Sequence, residues 1–224
     1  INTFLLADAE VVPHPVDEEG IVLNERPCDY YYVTPGHQVP TGVTMSSARR
    51  RQLLEHAARH DAVIIEDDYD SESNFTLNPL PALKASDRSG RVVYVSSLSK
   101  ALSPGLRLGF MVADPDLIDE ARALRRLVYR HPPTNIQYQM AHFLAQGHYE
   151  THLRRYHYDS AQRWERLHAA LQRYLPSCRA LAGSEHANAF WLQTPAQINT
   201  QQLTWRAAHA GVLIEPGARH FLNA

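Results

Sequence analysis

The chain has 224 residues, of which 44% are hydrophobic, and a formal charge of −2. That length suits one large domain or two small ones with real cores. The near-neutral charge argues against a nucleic-acid binder acting by itself, and no apolar run approaches the roughly 18 residues that span a membrane. The two cysteines, Cys28 and Cys178, lie far apart and in no CxxC pair. That argues against a disulfide framework or thiolate metal site and fits a reducing, cytoplasmic setting. The sequence begins at Ile1 without a signal-like n-region and reads as a piece of something longer.

In chain order, residues 9–16 read as a strand near a sheet edge, because Pro13 and Pro15 cannot donate to a ladder. Residues 29–34 read as a second strand, ended by Pro35-Gly36. Residues 46–60 form a helix that Ser46 or Ser47 can cap, with Leu53, Leu54 and Ala57 as its apolar stripe. Residues 62–66, 91–96 and 108–113 are short apolar runs of buried-strand type. Residues 114–129, 135–147 and 200–210 read as helices, and 150–175 as a long helix stopped by Pro176. Residues 189–193 and 212–214 read as strands. Continuous β-branched runs alternating with helices predict an α/β fold, a mostly parallel sheet with helices on both faces. A boundary near Tyr156 divides a large domain over 1–155 from part of a small α/β lobe over 156–224. There is no internal repeat and no low-complexity tract.

The chemistry concentrates in three segments. In Ser97-Leu98-Ser99-Lys100, a lone lysine follows a strand and two small hydroxyls, and Arg107 lies seven residues on, past Pro104-Gly105. That suits an amine forming a Schiff base with an aldehyde whose phosphate must also be held. Serine hydroxyls and a planar guanidinium are phosphate donors. The second segment, Glu66-Asp67-Asp68-Tyr69-Asp70-Ser71-Glu72, places acids just past the carboxyl end of a strand, where α/β sheets bind ligands. A carboxylate can keep a bound pyridine nitrogen protonated, and a tyrosine can donate to the ring 3-oxygen. Asp67 and Tyr69 are the candidates, against the plainer reading of a capped loop. The third, residues 34–44, is a Pro- and Gly-rich loop that either frames the ring or merely connects.

Other features have bland readings. His148 and His152 are four apart with His157 beyond, but no third metal ligand accompanies them, and a solvated helix face is the expectation. Arg122, Arg125, Arg126 and Arg130 read as an exposed helix face. Tyr156, Tyr158 and Trp164 are expected to pack along the long helix, and Phe190 and Trp191 in the small lobe.

Together these segments resemble fold-type-I pyridoxal-phosphate proteins, and more narrowly the aminotransferase-like domain of MocR/GabR-type bacterial transcription regulators. The narrower likeness rests on Tyr32-Val33-Thr34-Pro35-Gly36-His37-Gln38-Val39-Pro40-Thr41-Gly42, on Glu66 to Glu72, and on the Lys100 segment with Pro104-Gly105-Leu106-Arg107-Leu108-Gly109. The resemblance implies pyridoxal 5′-phosphate held as a Schiff base on Lys100, with Asp67 at the pyridine nitrogen and Tyr69 at the 3-oxygen. It places Ser97, Ser99 and Arg107 near the phosphate. It implies a homodimer, a small amino-compound ligand, and DNA contacted only through a winged-helix domain upstream of this sequence. A glycine- and serine-rich phosphate loop, a ring-stacking aromatic and a substrate-carboxylate arginine are likewise expected outside it. One departure is visible: aminotransferases carry Asn before Pro-Thr-Gly, whereas Val39 stands there and cannot donate to the ring. The implied function is an effector-sensing domain; the alternative is an active aminotransferase working on an amino acid or amine.

Overall fold

The computed structural model describes residues 2–24, 26–73, 80–180 and 189–221. A short helix α1 (Asn2–Leu6) comes first, followed by a two-residue hairpin of β1 (Val16–Asp17) and β2 (Gly20–Ile21). The central sheet has four strands: β3 (Tyr30–Val33), β4 (Val63–Asp68), β5 (Val92–Ser97) and β6 (Gly109–Val112). They stand in that order; β3, β4 and β5 run parallel, and β6 closes the edge antiparallel to β5. Helix α2 (Ser47–Arg59) connects β3 to β4, and the short α3 (Leu83–Ser86) precedes β5. After β6 come α4 (Pro115–Tyr129), α5 (Thr134–Ala145), α6 (His148–Tyr174), the pair β7 (Arg179–Ala180) and β8 (Leu192–Gln193), and α7 (Thr200–His209).

Strand periodicity decides the faces. Tyr31 pairs with Ile64 and Ile64 with Val92, and these three are 2%, 0% and 0% exposed. They pack with Leu53 and Ala57 of α2, Met45, Ile21 and Leu83 in one core. Each fully buried side chain of this kind contributes about 1.5–3 kcal/mol. The opposite face carries Tyr30 and Tyr32, 64% and 51% exposed, and α1 meets it through an edge-on contact of Phe4 with Tyr32.

Local chemistry sets the element ends. The Ser46 hydroxyl caps α2 by accepting from the Arg49 amide at 3.1 Å, and Asp114 caps α4 ahead of Pro115 in its first turn. Gly20 has φ +110°, and a Cβ there would meet the Met45 side chain at 3.0 Å, so only glycine joins the hairpin to the core. Arg49 reaches back to the same hairpin, pairing with Asp17 at 2.9 Å. Gly109 lets β6 approach β5: a Cβ would lie 2.8 Å from the Ser96 carbonyl oxygen.

Two strand expectations fail. Residues 9–15 are irregular, and only Val16 enters a ladder; Pro13 and Pro15 remove donors that pairing needs. Residues 212–214 have no strand partner among the described residues, and Leu213 is 89% exposed. The strand expected over 189–193 shrinks to β8. Helix α6 runs unbroken through Tyr156 for 27 residues, about 40 Å. Trp164 stacks on Phe190 with centroids 5.5 Å apart, while Tyr158 is exposed rather than packed. No helix among the described residues is long and apolar enough to cross a membrane.

Candidate functional site

The end of β4 sends successive acids to opposite faces. Glu66, 1% exposed, points into the helix-covered side and accepts from the Leu83 and Lys84 amides at 2.7 and 2.9 Å. Burial pushes its carboxyl up, against those two bonds. Arg50 is buried on the same side, its guanidinium donating to the carbonyls of Met45, Pro81 and Pro35. Asp68 accepts from the Tyr94 hydroxyl at 2.9 Å, and burial raises its carboxyl as well. Asp70 lies 3.6 Å from His37, both nearly inaccessible. Burial holds His37 below the usual histidine range, although Asp70 and Asp68 pull the other way. A small polar cavity of about 80 Å³ lies among Gly36, His37, Arg50, Glu66, Asp68 and Asp70.

Asp67 faces the other side. Its Oδ2 accepts a hydrogen bond from the Tyr32 hydroxyl. Tyr69 is half-buried and donates to the His37 carbonyl at 3.2 Å. Its phenol is pushed up to about 12, first by burial and then by Asp70, Asp67 and Asp68. Lys100 is exposed, with Nζ 5.7 Å from the centre of the Tyr69 ring. The lysine and the acidic segment, 31 residues apart between Tyr69 and Lys100, therefore meet across the β4–β5 edge.

The loop that carries Lys100 is built from its own serines. Ser97 Oγ accepts from the Ser99 amide at 3.1 Å and donates to the Leu108 carbonyl at 3.4 Å. Ser103 accepts from the Gly105 amide at 3.3 Å, opening a single 3-10 turn. Arg107 ends that turn at φ 49°, exposed and with no ion pair among the described residues. The loop over 34–44 is equally built. Thr34 Oγ1 accepts from the Val39 amide at 3.1 Å, Thr44 donates to the Gly36 carbonyl at 2.9 Å, and the Val39–Pro40 peptide is cis. Through His37 it touches Tyr69, so all three segments converge.

Four contributors escaped the sequence reading. Tyr32 is one. The others lie on α6: the Tyr149 hydroxyl donates to Glu72 Oε1 at 2.7 Å, His157 Nε2 bonds the Glu72 carbonyl, and His152 Nε2 bonds the Ala101 carbonyl at 2.6 Å. The expected solvated histidine face is thus corrected. His152 and His157 tie α6 to the residue after Lys100 and to the acidic segment, while His148 lies tilted against Phe143 with ring centres 5.8 Å apart. The only available sequence signal was the spacing of 149, 152 and 157, which puts them on one helical side. Among the described residues no group of His, Cys, Asp and Glu is arranged to hold a metal ion.

Residues 33–216 match the family model for aminotransferase class I and II. The chain belongs to that family. Among curated relatives, it is 40% identical to the HTH-type transcriptional regulator TauR of Rhodobacter capsulatus, over 95% of this chain and 44% of the relative. It is 35% identical to the probable rhizopine catabolism regulatory protein MocR of Rhizobium meliloti, over 100% of this chain and 46% of that one. The chain therefore spans less than half the length of these two family relatives. Among solved structures, Pyrococcus horikoshii kynurenine aminotransferase superposes with a TM-score of 0.87 at 27% identity, covering 96% of this chain and 56% of that one. The α-aminoadipate aminotransferase LysN of Thermus thermophilus, solved with N-(5′-phosphopyridoxyl)-L-leucine, gives 0.86 at 29% identity, covering 99% and 59%.

Proposed function

We propose that this family member is the aminotransferase-like, effector-sensing part of a bacterial transcription regulator, binding pyridoxal 5′-phosphate through Lys100. The observation that carries this is the meeting of Lys100 with Tyr69 beside Asp67 at one end of the sheet, in a chain 40% identical to TauR. The donor set fits the cofactor. An exposed lysine, a carboxylate, a phenol, two serine hydroxyls and an exposed arginine with no ion pair among the described residues match an aldehyde, a pyridine nitrogen, a ring oxygen and a phosphate. When bound, that cofactor supplies an electrophilic carbon for amines and an electron sink in its ring.

The chain's own residues supply the rest. Lys100 contributes the amine. Asp67 would hold a proton at the ring nitrogen, and Tyr69, on turning its hydroxyl from the His37 carbonyl, would donate to the ring oxygen. Ser99 and Arg107 would hold the phosphate, joined by Ser97 once its hydroxyl turns from the Leu108 carbonyl. Val39 offers no side-chain donor to the ring oxygen, which favours binding over rapid turnover. A small amino compound is the ligand, and it acts through unequal affinity for two conformations. DNA contact belongs to another part of a homodimeric, cytoplasmic protein, and residues 1–155 and 156–224 act as its large and small lobes.

The test is the visible absorption of the intact protein with pyridoxal phosphate, beside Lys100→Ala. A band that the variant lacks is expected; identical spectra would overturn the reading. A second reading, an active aminotransferase, draws on the likeness to the kynurenine enzyme of P. horikoshii. Conversion of bound cofactor to pyridoxamine phosphate by an amino donor, with turnover on a keto acid, would select it. A band that shifts without conversion selects the sensor.

A further inference from the structure

We propose that Tyr32 is a positioning residue for the site, its hydroxyl fixing the carboxylate of Asp67 so that one oxygen stays turned to the pyridine nitrogen; this rests on the cofactor reading above. The geometry comes from the sheet. Tyr32 pairs with Ile65 across β3 and β4, so Asp67, two residues on, is its diagonal neighbour on the same face. From there the phenol spans the gap and donates to Asp67 Oδ2. Oδ1 is left without a protein donor among the described residues. An edge-on ring of Phe4, 5.6 Å away, holds the tyrosine from behind. The partner facing Asp67 is thus a neutral hydroxyl donor, which fixes the orientation of the carboxylate. Burial and the adjacent carboxylate both drive the Tyr32 phenol well above its ordinary value, which keeps the proton on the tyrosine.

A bond to a charged acceptor at a half-exposed site corresponds to about a tenfold change in an equilibrium it supports. Tyr32→Phe keeps the ring and its packing on Phe4 and removes only the donor. The experiment is a double-mutant cycle on the intact protein: parent, Tyr32→Phe, Asp67→Ala and the double variant, each titrated with pyridoxal phosphate. Cofactor affinity is read by absorbance, the pH dependence of the cofactor band is followed, and unloaded protein is melted as a folding control. Expected are a roughly tenfold weaker affinity and a displaced pH midpoint in Tyr32→Phe, an unchanged melt, and no further loss when Tyr32→Phe is added to Asp67→Ala. Equal affinity in Tyr32→Phe and parent, or an undiminished loss on the Asp67→Ala background, would overturn the positioning role while leaving the cofactor reading intact. A parent that binds no pyridoxal phosphate would bring down both.

Discussion

Glu66 stands in the acidic segment between Ile65 and Asp67, yet the fold gives it a different task from its neighbour. It is buried, it closes the amino end of α3 by accepting from two amides, and it feels the buried Arg50 only weakly. Removing its carboxylate leaves the Leu83 and Lys84 amides without their acceptor, at about 1–3 kcal/mol each, or about 2–5 kcal/mol together. Glu66→Ala should therefore lower the unfolding free energy by that amount in urea, without a direct effect on the Lys100 side of the sheet. Glu66→Gln keeps one acceptor and should lose about 1–2 kcal/mol. A loss under about 1 kcal/mol for alanine would show that the site relaxes and that the two amides find other partners. The sequence shows a run of acids but not which of them turn inward. That follows from strand alternation once β4 is known to reach Asp68.

At the scale of elements, helices with their own start signals were legible: Ser46 caps α2 and Asp114-Pro115 opens α4 where the sequence predicts them. Strands β3 to β6 were legible because each is a short apolar run in a parallel or edge position. Residues 9–16 and 212–214 misled because apolar runs read as strands only where a neighbour pairs with them, and pairing is not local information. Helix α6 shows the same limit. Its histidines look solvated in isolation, but His152 fastens Ala101, the residue after Lys100, to the helix that leads towards the end of the chain. His152→Ala should release that loop. Amide exchange at 98–103 should speed up several-fold, since one bond to a carbonyl is worth about 0.5–1.5 kcal/mol. Unchanged exchange there would mean that the serine bonds within the loop suffice to hold it.

Over the whole molecule, the three segments singled out in the sequence are each contiguous and so legible, whereas the residues that join them, Tyr32, Tyr149 and His152, are distant in sequence and meet them only after folding. The same distant packing sorts the titratable groups into two opposed sets. His56, on the buried face of α2 and bonded to the Tyr31 hydroxyl at 2.8 Å, is held below the ordinary histidine value by burial and by His60 and Arg59 nearby. The unfolded chain therefore takes up that proton first, and the stability His56 contributes is present above about 6.5 and lost as pH falls through its lowered value. Asp68 and Glu66 are raised by burial. Their contribution is complete below the ordinary carboxyl values, about 3.9 and 4.3, and is lost as pH rises through the raised ones. Between roughly pH 4.5 and 6.5 the two trends oppose, so urea midpoints of the parent should vary little across that window. His56→Gln keeps a partner for Tyr31 and removes one of the two lowered histidines, His37 being the other; its midpoint should fall relative to the parent's as pH rises. Asp68→Asn keeps an acceptor for Tyr94 and removes one raised carboxyl; its midpoint should climb with pH instead. Midpoint curves for the two variants that run parallel to the parent's would mean that neither group changes its proton affinity on folding.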